Sequence, residues 1–149
     1  MKNISQVPII ELWGQLVVPL QGDLADDTCD QMLTSILQRI RDRAPRGLVL
    51  DVSGLWLIDS HMCAVLARLA SSARLMGVQV FLCGMSSAVV LTLQSMDIDL
   101  RGIRTAPSLE FALEELGVRV EREQDDEDEA SFDLVLRDQQ SAINNVASS

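Results

Sequence analysis

The sequence predicts an α/β domain: a small mixed β-sheet, antiparallel in its first hairpin and parallel thereafter, packed by about four helices. Three observations predict it. Residues 48–52 and 78–82 are short, unbroken apolar runs, the pattern of strands covered on both faces. Segments of helical periodicity separate these runs, so successive strands pair in parallel through crossovers of one hand. The opening of the chain reads as a hairpin, which supplies one antiparallel edge.

In chain order, residues 7–13 and 16–20 are β-type runs around Gly14-Gln15, a pair suited to a primed turn. Pro8 and Pro19 lie near strand ends, where a missing amide is tolerated. Asp23 or Asp26 is expected to cap the first helix. Its apolar residues Cys29, Leu33, Ile36, Leu37 and Ile40 recur at i, i+4, i+7, i+8 and i+11, which is one face. Arg39, Arg41 and Arg43 suit the negative end of its dipole, and Pro45 and Gly47 are expected to stop it. After strand 48–52, an apolar loop leads to Asp59-Ser60. From there to Met76 the sequence is rich in Ala, Leu, Met and Arg and reads as a long helix closed by Gly77. Strand 78–82 follows, and Ser86 or Ser87 caps a third helix running towards Met96. Residues 98–104 form an irregular link with room for a short strand. Residues 105–108 open a last helix, with Leu109, Leu113 and Leu116 facing inward and Gly117 at its end. The order is ββαβαβα(β)α.

The chain has 149 residues and a formal net charge of −10. Residues 1–118 hold nine basic and thirteen acidic side chains, net −4; residues 119–149 hold three and nine, net −6. The expected organisation is one domain, 1–118, followed by an acidic, disordered tail, 119–149, whose run of Asp and Glu cannot form a core. Within the tail, residues 131–136 are a brief apolar patch, either incidental or a docking segment for a partner groove or another subunit. With no basic stripe, the chain is unsuited to gripping nucleic acid or anionic lipid.

Scarce residues exclude more. Lys2 is the only lysine and His61 the only histidine, which removes Walker-type, Schiff-base and multi-histidine zinc chemistry within one chain. Cys29, Cys63 and Cys83 are odd in number and widely spaced, as expected of reduced thiols in a cytoplasmic protein. No signal peptide or membrane-length apolar run is visible. The expectation is a protein without cofactor or metal and without enzymatic activity.

The candidate sites are read with the same expectation. Asp51 closes a central strand, where a receiver domain would keep its phospho-acceptor, but the acidic pair and later lysine of that chemistry are missing. Asp51 is better read as holding the loop amides of Ser53 and Gly54. Asp59, Ser60 and His61 are consecutive, and neighbours at a helix start splay about 100° apart, which suits no nucleophile–base relay. Ser60 reads better as a substrate. Phosphorylation there adds a charge of about −1.5 to −2 at a helix N-terminus, which favours anions, so the fold survives while the surface changes.

The stretch 48–60, LVLDVSGLWLIDS, resembles the STAS domain of sulfate transporters and anti-sigma factor antagonists, and the likeness spans roughly residues 5–118. Within that family it is most similar to RsbS-type stressosome scaffold proteins. The diffusible antagonists continue Asp-Ser-x-Gly-Leu-Gly, whereas here Asp59-Ser60 is followed by His61-Met62-Cys63. Residues 74–77 and 83–93 also resemble the scaffold group. The resemblance implies a scaffold that assembles with RsbR-type sensor proteins carrying STAS domains and with itself. It implies an RsbT-type serine/threonine kinase bound to the particle and released when Ser60 is phosphorylated, and a serine phosphatase that resets the site. Thr92 resembles a second phosphoacceptor of the sensor partners. The implied partner-binding surface is Trp56, Leu57, Ile58, Asp59, Ser60 and His61. The alternative is a small diffusible antagonist that binds an anti-sigma kinase and frees a sigma factor.

Overall fold

The computed structural model describes residues 7–97 and 100–118. The acidic segment 119–149, and with it the expectation of a disordered tail, lies outside the described residues. Along the chain come β1 (Ile10–Leu12), β2 (Gln15–Gly22), α1 (Asp26–Arg43), β3 (Gly47–Leu55), α2 (Ser60–Leu75), β4 (Gln79–Cys83), α3 (Ser87–Ser95), β5 (Ile103–Ala106) and α4 (Leu109–Glu115). The strands lie side by side in chain order, β1 antiparallel to β2 and every later pair parallel. The optional last strand is real, but it runs from Ile103 to Ala106, past the 98–104 link and into residues expected to open the last helix.

Strand alternation sends two sets of side chains to opposite faces. Leu16, Val18, Leu48, Leu50, Val80 and Leu82 pack under α1, α2 and α3 in one core. Val17, Val49, Phe81 and Cys83 form a second core with Ala112 and Leu113 of α4. Crossovers between consecutive parallel neighbours share one hand, which places their three helices on the same face. The other face is left to α4. Burial of each Leu, Ile or Val in these cores contributes about 1.5–3 kcal/mol.

Three local expectations are corrected. The primed turn is Trp13-Gly14, not Gly14-Gln15: both turn residues have positive φ, 47° and 79°, and Leu12 pairs with Gln15. Gln15 belongs to β2 because its side chain is buried, with Oε1 close to where a Cβ on Gly47 would stand. Neither Asp23 nor Asp26 caps α1. The cap position is Ala25, without a side-chain bond, and Asp26 and Asp27 act through the dipole from the first turn. Gly47 does not stop α1 either. Ala44, in the left-handed region, ends the helix, while Gly47 opens β3 where a Cβ would collide with Leu116. The other caps are as expected, with Ser86 rather than Ser87 heading α3 and Ser108 heading α4.

Candidate phosphoacceptor site

The site is built where β3 leaves the sheet. Leu55 is still in the core, Trp56 and Leu57 stand 77% and 79% exposed, and Ile58 returns to the core at 5%. An anchored residue directly after two exposed ones holds the apolar pair out as a fixed surface feature. Ile58, expected on the partner-binding surface, is therefore its internal anchor.

Asp59 has extended backbone, and its Oδ1 accepts the N–H of Met62 at 2.8 Å, capping α2. Ser60 is thereby the first helical residue. It is exposed, and among the described residues its hydroxyl makes no hydrogen bond. His61 turns away from both: its Nε2 lies 2.9 Å from Oδ1 of Asp30 on α1. That bond, reinforced by the charges of Asp26, Asp30 and Asp59, holds the imidazole pKa above its ordinary value. Asp59 is engaged by a backbone amide and His61 by Asp30, so among the described residues these two neighbours form no hydrolytic relay with the serine.

Carboxylates gather around the start of α2, where they act on His61 and Cys29. Burial first, and then Asp59, Asp26 and Asp30, push the nearby Cys29 thiol up to about 11. Asp30 and Asp26 were not anticipated. Their link to the site runs across 31 positions from α1, and no local pattern signals it.

On the opposite sheet face, Asp51 accepts the Ser53 N–H at 3.0 Å, the loop-holding role read from the sequence. Gly84, at φ +73°, lies so close that a Cβ would stand 3.0 Å from Asp51 Oδ1 and 2.8 Å from Ser53 Cβ. Burial, with Asp51 next, pushes Cys83 up to about 12. All three cysteines are buried and free. Thr92 lies on α3, half-buried, its Oγ1 donating to the Ala88 carbonyl at 2.9 Å. Nothing joins it to Ser60. Among the described residues, no group of three or more His, Cys, Asp or Glu converges as a metal site, and no helix is long and apolar enough to cross a membrane.

Comparison with known proteins gives a consistent picture. Residues 5–112 match the STAS domain family model. A solved structure of a serine-to-glutamate variant of RsbS from Moorella thermoacetica is 35% identical, with a TM-score of 0.70, over 76% of this chain and 96% of that one. A chain from a structure of the stressosome, described as a signal integration and transduction hub, is 35% identical with a TM-score of 0.67, over 74% and 96%. The RsbT co-antagonist protein RsbRD of Bacillus subtilis (strain 168) is 23% identical over 80% of this chain. The match spans only 44% of that relative's length.

Proposed function

The chain belongs to the STAS domain family, and from that premise we propose that it is a non-enzymatic scaffold and phosphoswitch of a stressosome-type complex. It holds an RsbT-type serine/threonine kinase and releases it when Ser60 is phosphorylated; a serine phosphatase resets the site. It associates with itself and with RsbR-type sensors through STAS domains. The likeness to RsbS and to the stressosome chain, and the relative named as an RsbT co-antagonist, support this reading.

The observation that carries it is the placement of Ser60. The hydroxyl is exposed on the first residue of α2, beside a capping aspartate and next to the outward-held Trp56 and Leu57. A kinase can reach such a serine, and the helix N-terminus accommodates the phosphate. The phosphate adds charge beside Asp59 while the helix N-terminus offsets it within the fold, so a partner docked over Trp56 and Leu57 meets the added repulsion. Thr92 is a secondary acceptor at most, because its hydroxyl is already bonded within α3.

The test is incubation with an RsbT-type kinase and ATP, followed by phosphosite mapping. We expect phosphate on Ser60, a Ser60→Ala variant that retains the kinase and a Ser60→Asp variant that binds it weakly. Kinase binding unaltered in both variants would overturn the assignment. Native mass separates the scaffold from a diffusible antagonist: a particle of megadalton scale with a sensor partner supports the scaffold, and a lone monomer supports the antagonist.

A further inference from the structure

The first turn of α2 is fixed to α1 at two adjacent points. The Cys29 thiol lies 3.9 Å from the sulfur of Met62, both residues being buried. Next to them, His61 Nε2 lies 2.9 Å from Asp30 Oδ1. Consecutive residues of one helix thus meet consecutive residues of the other. The two contacts differ in kind. A thioether is soft and adapts to its surroundings, so the buried pair holds the helices together without fixing how α2 is turned about its axis. The hydrogen bond is directional, and it is made by the residue directly after Ser60. The apolar pair of the site is anchored elsewhere: Leu55 and Ile58, both buried, hold Trp56 and Leu57 outward at the end of β3. The placement of the Ser60 hydroxyl relative to that pair therefore depends on how the first turn of α2 is set against α1.

We infer that His61 and Asp30 are positioning residues for phosphorylation of Ser60: their bond sets the first turn of α2 so that, with a kinase docked over Trp56 and Leu57, the hydroxyl meets the γ-phosphate of ATP. This inference rests on the phosphoswitch reading and names what regulates it. In the transfer, Ser60 Oγ forms a bond to the γ-phosphorus and the bond from that phosphorus to the bridging oxygen breaks. ADP leaves, and the serine proton passes to a base of the kinase. Neither His61 nor Asp30 touches the reacting atoms. Their part is orientation, and rates fall steeply when reacting groups are misplaced by about 1 Å. The bond is charge-assisted only while the imidazole is protonated. The carboxylates that act on it, Asp26 and Asp30 from α1 and Asp59 from the loop before α2, all favour that form. As pH rises and the imidazole loses its proton, the bond weakens and the acceptor is held less firmly.

The test is the initial rate of phosphorylation of the full chain by an RsbT-type kinase and ATP. The kcat and the KM for the protein substrate are measured from about pH 6 to about pH 8.5, the range in which a histidine titrates. His61 and Asp30 are both accessible to solvent, so replacing either should leave the fold intact, as circular dichroism checks. His61→Ala and Asp30→Ala should each lower kcat by about tenfold while KM changes less than about twofold, because docking over Trp56 and Leu57 is untouched. His61→Gln keeps a donor of similar reach that does not titrate, and it should recover kcat. The ratio of wild-type kcat to that of His61→Gln, which cancels the pH dependence of the kinase itself, should fall as pH rises. Wild-type kcat in both alanine variants overturns the inference and leaves the phosphoswitch reading standing. So does an effect confined to KM, which would make His61 a docking contact, or a His61→Gln variant as slow as His61→Ala. A wild-type chain that takes no phosphate on Ser60 overturns both readings.

Discussion

His61 on α2 and Asp30 on α1 are joined across the helical face, Nε2 to Oδ1 at 2.9 Å. The bond ties the first turn of the helix that carries Ser60 to its neighbour. It also makes the tie sensitive to pH. The folded-state pKa of His61 is raised, chiefly by this hydrogen bond, so the protonated form is favoured by folding. Its stabilising contribution is complete below the unfolded pKa of about 6.5 and is lost as pH rises through the folded value. Asp30→Asn should bring the His61 titration, followed by NMR, down towards the unfolded value. It should also remove this part of the pH dependence of thermal unfolding.

Asp59 and Ser60, adjacent in sequence, should differ sharply when replaced. Asp59→Ala removes the cap on Met62 and is expected to cost about 1 kcal/mol, read as a lower Tm. Ser60→Ala removes an exposed hydroxyl and should stay within about 0.5 kcal/mol of wild type. Ser60→Asp places a charge where the helix dipole favours it, so its Tm should be unchanged or slightly higher. A Ser60→Asp variant that melts well below wild type would contradict a switch acting on the surface.

The loop 56–58 should divide into a binding part and a folding part. Trp56→Ala should leave Tm nearly unchanged and reduce kinase affinity by about 30-fold, the scale of a central aromatic anchor. Ile58→Ala removes a buried side chain and should cost about 2–4 kcal/mol. Paired calorimetry and binding measurements on the two variants check this division.

Gly84→Ala should destabilise the domain by about 2 kcal/mol. It combines an unfavourable left-handed φ of +73° with a Cβ pressed on Ser53 and Asp51. Chemical denaturation measures the loss. The same substitution at Gly77, also at positive φ but with open space around it, should cost less.

Much of the fold is legible locally. Apolar period and caps locate the helices, and the alternation of strands and helices implies a parallel sheet with an antiparallel start. The misplacements fall where a distant residue decides a local question. Trp13 takes a left-handed conformation because Gln15 is needed in the second strand, and Gly47 is required by the side chains of Leu116 and Gln15. The last strand is only four residues long, Ile103–Ala106, and takes its pairing from β4.

The candidate site divides in the same way. By itself, the sequence determines that an Asp-Ser pair starts a helix after an apolar loop and that catalytic residues are scarce. These are properties of neighbouring residues and of composition. Only the tertiary structure decides that Trp56 and Leu57 face outward while Ile58 faces inward, because a continuous apolar run carries no sign of its burial. Only the packing of α1 on α2 brings Asp30 to His61, beside Ser60 in sequence, and sets the charges of α1 against the start of α2. Electrostatic fields add through space, and residues 31 positions apart become neighbours only when the chain folds.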